Sequence, residues 1–334
     1  MRVAVIGAGS WGTAVAAMAA RRADATLWAR RPEVAAAMDA QHENVTYLPG
    51  ITLPDSLRTT ADLATAVGGA DVVVFAVPSH GFRGVAVEAR EFISSQAIVV
   101  SLTKGVEQGT QLRMTQICAE VLEVPVGRIG VLTGPNLALE VAQGQPAAAV
   151  AAVLDPDAAR IVQQLFMSPT FRVYTNPDVV GCEAAGALKN VMAIAAGMAH
   201  GLGYGDNSKA ALVTRALAEL TRLGVALGGV PLTFAGLAGM GDLIATCFSE
   251  QSRNRRVGVA LGEGRSLEQI VTDMRMVAEG VKSTAAILEL ARRHSMEMPI
   301  AEMVGSVLYE GSRPADMVEG LMTREAKAEL HGIG

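Results

Sequence analysis

Val3-Ala4-Val5-Ile6-Gly7-Ala8-Gly9-Ser10-Trp11-Gly12-Thr13-Ala14 opens the chain and decides its fold. The apolar, β-branched run Val3–Ile6 reads as a buried strand, and Thr13 to Arg22 carries a helical pattern. Gly7, Gly9 and Gly12 lie between them in G-x-G-x-x-G spacing, the strand-turn-helix context of a dinucleotide site. The first glycine permits the tight turn, the second lets backbone approach a pyrophosphate, and the third lets helix pack on strand. The exposed helix start supplies N–H groups and partial positive charge. A glycine-rich turn without a ligand is the bland alternative.

A free ribose 2′-OH usually meets an acidic residue about 20 residues further on, at the end of the second strand. Here that strand ends in Trp28-Ala29-Arg30-Arg31. Two guanidiniums and no carboxylate suit a 2′-phosphate better than a diol, which favours NADP over NAD. An exposed basic turn before Pro32 would look the same.

Outward from this turn, Ala25–Ala29, Asp71–Val77, Ala97–Leu102, Gly130–Leu132, Ala147–Val153 and Arg172–Tyr174 read as further strands. Helical patterns alternate with them at Gln111 to Leu122 and Asp157 to Met167. This predicts parallel βαβ units. After Asn176-Pro177-Asp178 only helical periodicity remains, in Cys182–His200, Lys209–Leu227, Leu267–Asp273, Ser283–His294 and Ile300–Glu310. The expected fold is therefore α/β: a Rossmann-type, mostly parallel sheet domain over 1–178 and an all-helical substrate and catalytic domain over 179–334. The stretch Gln41 to Ser56 reads as a loop.

With 334 residues, 50% hydrophobic and 18% charged, the chain can bury two cores and does not have a disordered composition. Its net charge of −5 argues against nucleic acid or an anionic membrane as the main partner. Cys118, Cys182 and Cys247 are odd in number and widely spaced, so neither a disulfide framework nor a metal site is encoded, and a cytoplasmic location is expected. The N-terminus lacks a charged leader, and the most apolar stretch, Gly181 to Gly203, carries Glu183, Lys189 and His200, so no signal peptide or membrane span is expected.

The chain has 23 Arg but only five Lys, which makes each lysine informative. Lys104 follows a strand in Leu102-Thr103-Lys104-Gly105, at the carboxyl edge where open parallel sheets bind ligands. A solvated turn lysine is the alternative. Lys189 lies in Ala184-Ala185-Gly186-Ala187-Leu188-Lys189-Asn190-Val191-Met192, a helix with almost no polar face. A buried ammonium needs an anionic partner or a lowered pKa, and either condition suits a proton donor or acceptor. Snorkelling from a helix edge would also satisfy it. Asp242, isolated in Gly239-Met240-Gly241-Asp242-Leu243-Ile244, could charge-balance that lysine or merely cap a helix. Ser252-Arg253-Asn254-Arg255-Arg256 has the composition of a phosphate or carboxylate clamp, or of a solvated basic turn.

Five segments in order resemble the bacterial-type NAD(P)-dependent glycerol-3-phosphate dehydrogenases. They are Gly7 to Ala14, Tyr47-Leu48-Pro49-Gly50, Gly134-Pro135 with Glu140-Val141, Gly186-Ala187-Leu188-Lys189-Asn190 continued through Gly203-Tyr204-Gly205-Asp206-Asn207, and Gly241-Asp242-Leu243 with Ser252-Arg253-Asn254. The resemblance implies hydride transfer between NADPH or NADH and dihydroxyacetone phosphate, giving sn-glycerol 3-phosphate for phospholipid synthesis. It implies Lys189 as proton donor or acceptor. Lys104, Gly134, Asn136, Asn190, Asp242, Ser252, Arg253 and Asn254 would join it around the substrate. Gly7, Gly9, Ser10, Trp11, Gly12, Arg30, Arg31, Lys104, Ala138, Arg253, Val277 and Glu279 would contact the cofactor. Asn136 stands where the family often has Ser or Thr, and His200 where an acidic residue is usual. A homodimer is compatible with the apolar helical domain. The rival readings are a two-domain dehydrogenase of β-hydroxyacids or phosphogluconate and a dinucleotide-binding redox sensor without turnover.

Overall fold

The computed structural model describes residues 1–274, 278–326 and 328. They form two compact units. The first comprises Met1–Lys104 and Leu112–Val179, and the second Gly105–Gln111 and Val180–Gly334. The short segment Gly105–Gln111, which the sequence pattern placed in the sheet domain, groups with the helical unit. Gln108 Nε2 donates there to the Lys282 carbonyl at 2.9 Å.

In chain order the strands are β1 (Arg2–Ile6), β2 (Asp24–Trp28), β3 (Glu43–Asn44), β4 (Leu48–Thr52), β5 (Arg58–Thr60), β6 (Val72–Phe75), β7 (Ile98–Ser101), β8 (Ile129–Thr133), β9 (Ala147–Val153) and β10 (Phe171–Asn176). Eight form one sheet in the order β10-β9-β8-β7-β6-β1-β2-β5, and β3 pairs with β4 as a separate hairpin. Strands β1, β6, β7 and β8 are almost wholly buried, because helices cover both faces, so they read as unbroken apolar runs. Strand order reverses at β1, which pairs in parallel with β2 on one side and β6 on the other. The carboxyl ends of β1 and β6 therefore flank the topological switch point, where open α/β sheets take ligands.

The large sheet is mostly parallel, as expected, and departs from parallel pairing at one place: β9 runs antiparallel to β8. Their connection contains only the five-residue helix Ala138–Ala142. It provides no full-length crossover helix to carry the chain back along the sheet, and the chain turns back beside β8. The full-length helix Pro156–Phe166 then makes a regular crossover, and β10 is parallel to β9. The stretch expected to be a loop at Gln41 to Ser56 contains the β3–β4 hairpin.

From Val180 onward the regular structure of the second unit is helical over its described residues, built around Val179–Gly201. Every residue of this helix from Gly181 to Ala199 is buried, as its lack of a polar face required. It is long and apolar enough to cross a membrane, but 89% of its most apolar window is buried in the protein core. A second stretch of that kind, Pro231–Phe248, is divided into the short segments Pro231–Phe234, Leu237–Gly241 and Asp242–Phe248.

Helix Asp206–Ala226 sends Glu219 into this interior, where its carboxylate accepts from the Ile300 and Ala301 N–H groups at 2.9 and 3.4 Å. It thereby caps helix Pro299–Tyr309, whose own cap residue, Met298, supplies no side-chain bond. Burial pushes the Glu219 carboxyl up to about 7, against those hydrogen bonds and the nearby Arg222. The folded state thus holds a proton that the unfolded chain releases near 4.5, so stability falls as pH rises between those values. The integrated effect is about 3 kcal/mol. Glu219→Gln should remove it: variant and wild type should unfold similarly at low pH, with the variant the more stable by that order above about pH 8. A stability difference independent of pH in denaturant titrations would contradict this.

Candidate active site

At the carboxyl end of β1, Gly7 adopts φ +119°, and a Cβ there would lie 2.6 Å from the Ala76 carbonyl oxygen. On Gly12 it would meet Ala76 Cβ at 2.8 Å. These two glycines let the turn and helix Ser10–Ala20 close on the end of β6. Gly9 differs, since a Cβ there would meet nothing within 4 Å. It is the cap residue of the helix, with no side-chain cap bond and no acidic residue in the first turn. An open glycine beside uncapped helical N–H groups fits a dinucleotide pyrophosphate.

The turn is braced from below. Asn44, buried, donates from Nδ2 to the Ala8 carbonyl at 2.9 Å and to Thr13 Oγ1 at 2.8 Å. Ser10 Oγ donates to the Tyr47 carbonyl at 2.5 Å. The Ser10 hydroxyl proton is thus committed to the hairpin, and its backbone N–H is the group on the helix start. Sequence reasoning missed Asn44. Its only signal was a position three residues before Tyr47-Leu48-Pro49-Gly50. Trp11 is half-buried and packs its ring against Phe171, centroids 6.2 Å apart.

Arg30 and Arg31 lie exposed just past β2. Arg31 caps helix Pro32–Gln41, and its Nε is 3.8 Å from Glu33, a largely solvated pair of small energetic worth. Lys104, past β7, donates to the Gly134 carbonyl at 3.3 Å. Gly134 follows β8 with φ +137°. Asn136 is half-buried, and with its amide oriented to satisfy its neighbours the nitrogen donates to the Pro135 and Ala148 carbonyls at 3.3 and 3.2 Å. That nitrogen serves the backbone turn. Ala138 begins the short helix Ala138–Ala142. Gly7, Arg30, Arg31, Lys104 and Gly134 thus gather at the carboxyl edge of one sheet.

In the second unit, Lys189 and Asp242 are 4% and 2% exposed, with Nζ 2.8 Å from Oδ1. This excludes snorkelling for Lys189. Asp242 is the first residue of helix Asp242–Phe248, whose cap position is Gly241, and no side-chain cap bond is formed. Pairing, rather than capping, accounts for the aspartate. Lys189 also donates to Thr246 Oγ1, and Thr246 donates in turn to the Asp242 carbonyl at 2.6 Å. Thr246 was not among the predicted site residues, although its position four after Asp242 puts both on one helical face. Neighbouring Cys247 is no nucleophile, because burial pushes its thiol up to about 12.

Asn190, beside Lys189, is also buried. Ser252 caps helix Arg253–Gly262, its Oγ accepting from the Arg255 N–H at 3.2 Å. Asn254 is buried, and its Oδ1 accepts from the Gly280 N–H at 2.9 Å. The Asn254 amide is thereby oriented with its NH₂ as the group left to donate. Arg253 has an open surface but enough surrounding protein that desolvation lowers its guanidinium pKa, opposed by Glu279. Glu279 begins helix Glu279–Arg293. Val277 lies outside the described residues. Among the described residues no cluster of His, Cys, Asp or Glu could hold a metal ion.

A glycine turn on a doubly wound sheet, together with a carboxylate-paired lysine in a buried helix, defines a dinucleotide-dependent oxidoreductase. Residues 2–159 match the family model for the N-terminus of NAD-dependent glycerol-3-phosphate dehydrogenase, and residues 178–319 match that for its C-terminus. The chain belongs to the NAD-dependent glycerol-3-phosphate dehydrogenase family. It is 54% identical over 332 residues to a protein of Sphingopyxis alaskensis and 52% identical over 334 residues to one of Thermobifida fusca, each comparison covering 99% of both chains. Both relatives are named glycerol-3-phosphate dehydrogenase, with the cofactor given as NAD(P)+. The crystal structure of the glycerol-3-phosphate dehydrogenase from Coxiella burnetii superposes with a TM-score of 0.92 at 37% identity, covering 97% of this chain and 99% of that one.

Proposed function

We propose that this chain catalyses reversible reduction of dihydroxyacetone phosphate to sn-glycerol 3-phosphate with NADPH or NADH, and that Lys189 carries the proton. The observation behind this reading is the buried Lys189–Asp242 pair at 2.8 Å. The names of its half-identical, full-length relatives support the substrate and cofactor. A bound nicotinamide supplies or accepts the hydride at the substrate's C2. As negative charge grows on the C2 oxygen, Lys189 stabilises it and delivers a proton. Asp242 balances the ammonium, and Thr246 holds both ends of the pair. Arg253 and the Asn254 NH₂ take the phosphate, so remote binding energy orients the carbonyl.

The product class suits glycerophospholipid synthesis. The three cysteines are free and buried, as a cytoplasmic enzyme would have them. The apolar character of the helical unit is compatible with a homodimer. The acidic net charge supports a small-molecule substrate rather than nucleic acid. The test is NADPH oxidation by the purified protein with dihydroxyacetone phosphate. Absence of turnover with that substrate would refute the reading.

In the cofactor preference, Arg30 and Arg31 would pair with the 2′-phosphate. Arg31→Asp should weaken NADPH by about tenfold or more, since a charge-assisted bond contributes ~1.5 to 3 kcal/mol. NADH should suffer less. An unchanged NADPH to NADH ratio in kcat/KM would remove the basis for an NADP preference.

A further inference from the structure

Helices Val179–Gly201 and Arg253–Gly262 each carry two glycines four residues apart, Gly197 with Gly201 and Gly258 with Gly262. These face one another. A methyl group on Gly258 would press into the Ile194 carbonyl and lie 2.9 Å from Gly197 Cα. On Gly262 it would lie 2.6 Å from the Met198 carbonyl and 3.0 Å from Gly201 Cα. The reciprocal methyls, on Gly197 and Gly201, would meet Gly258 Cα at 2.9 Å and Gly262 Cα at 3.1 Å. The two backbones touch with no side chain between them. A third helix, Glu279–Arg293, enters the same contact at Gly280, where a methyl would lie 2.8 Å from the Asn190 carbonyl and 2.9 Å from Asn254 Oδ1.

This packing joins two chemistries. One helix bears Lys189, and the other begins at Arg253 and Asn254, one turn before Gly258. The Gly280 N–H fixes the Asn254 amide through the bond at 2.9 Å. A methyl on Gly197, Gly201, Gly258 or Gly262 cannot enter the contact by rotating a neighbouring side chain aside, because the nearest obstacles are backbone atoms. It must separate the helices.

We infer that Gly197, Gly201, Gly258 and Gly262 are positioning residues that set the separation between the Lys189 ammonium and the Arg253 and Asn254 phosphate ligands, with Gly280 holding the Asn254 amide in its donating orientation. The inference rests on the roles proposed above for those three side chains. It adds that the distance between proton donor and phosphate ligands, and hence the length of substrate accepted, is set by direct backbone contact.

The test is Gly258→Ala, assayed at saturating NADPH with dihydroxyacetone phosphate and with unphosphorylated dihydroxyacetone. Misplacement of a binding group by about 1 Å can cost up to about 10²-fold. For the phosphorylated substrate kcat/KM should therefore fall about tenfold or more, while for the unphosphorylated one it stays within about twofold. Gly305→Ala, whose methyl would clash only with the flexible end of Leu288, at 2.6 Å, is the packing control and should leave both values unchanged. If Gly258→Ala does not fold, Gly262→Ala, one turn further from Arg253, should give a smaller shift of the same kind. Equal losses on both substrates, or no change, would each overturn the inference and leave the glycines a purely structural part. Wild-type protein inactive on dihydroxyacetone phosphate would instead refute the proposed function, so the two failures are distinguishable.

Discussion

Lys189→Met should lower kcat by ~10² to 10⁴-fold, the usual contribution of a positioned general acid or base. NADPH binding should survive, because the glycine turn, its Asn44 brace and the uncapped helix start belong to the other unit. The substitution also leaves Asp242 buried without its cation, and breaking such a pair costs ~3 to 5 kcal/mol in stability. Lost turnover could then reflect lost fold. The double variant Lys189→Met, Asp242→Asn separates the two, since removing both charges avoids the unpaired carboxylate. It should recover much of the thermal stability and none of the turnover. Measurement of unfolding and of single-turnover NADPH oxidation on both variants decides the matter. Near-normal oxidation in either would move the proton to another group.

The parts of this site legible in the sequence are those where one residue contradicts its surroundings. Lys189 and Asp242 stood out as charges in apolar runs, and the cost of burying either alone made the other a candidate partner beside the capping alternative. Gly7, Gly9 and Gly12 stood out by spacing. Thr246 and Asn44 did not, because a threonine in a helix and an asparagine in a turn-rich stretch are ordinary there. Their roles come from partners 57 and 36 residues away in sequence. The antiparallel turn at β9 was hidden for a different reason. Ala147–Val153 is as apolar as its neighbours, and strand direction depends on the path of the preceding connection rather than on the strand's own residues. Helix Ser79–Ala89 was likewise obscured by Gly81 and Gly84, whose low helix propensity is overridden by packing of Phe82, Ala86 and Ala89.

Arg253→Ala should lower kcat/KM for dihydroxyacetone phosphate steeply, and the size of the loss reports how far the guanidinium is withdrawn from water. Its surface is open, yet surrounding protein desolvates it enough to lower its pKa, which places it between a solvated pair and a buried one. A solvated pair contributes ~0.2 to 1 kcal/mol, whereas truncating one partner of a buried charge pair costs ~2 to 5 kcal/mol. Substrate phosphate bound against Arg253 would exclude further water, so the expected loss lies in the upper range, ~30-fold or more. Unphosphorylated dihydroxyacetone has no group to place there and should lose little beyond any disturbance of the cofactor through Glu279. The comparison is made with both substrates, in both proteins, at saturating NADPH. Equal losses would assign Arg253 to the cofactor or to the fold. Phosphate recognition would then pass to Lys104, whose ammonium sits at the carboxyl edge of the sheet on the Gly134 carbonyl.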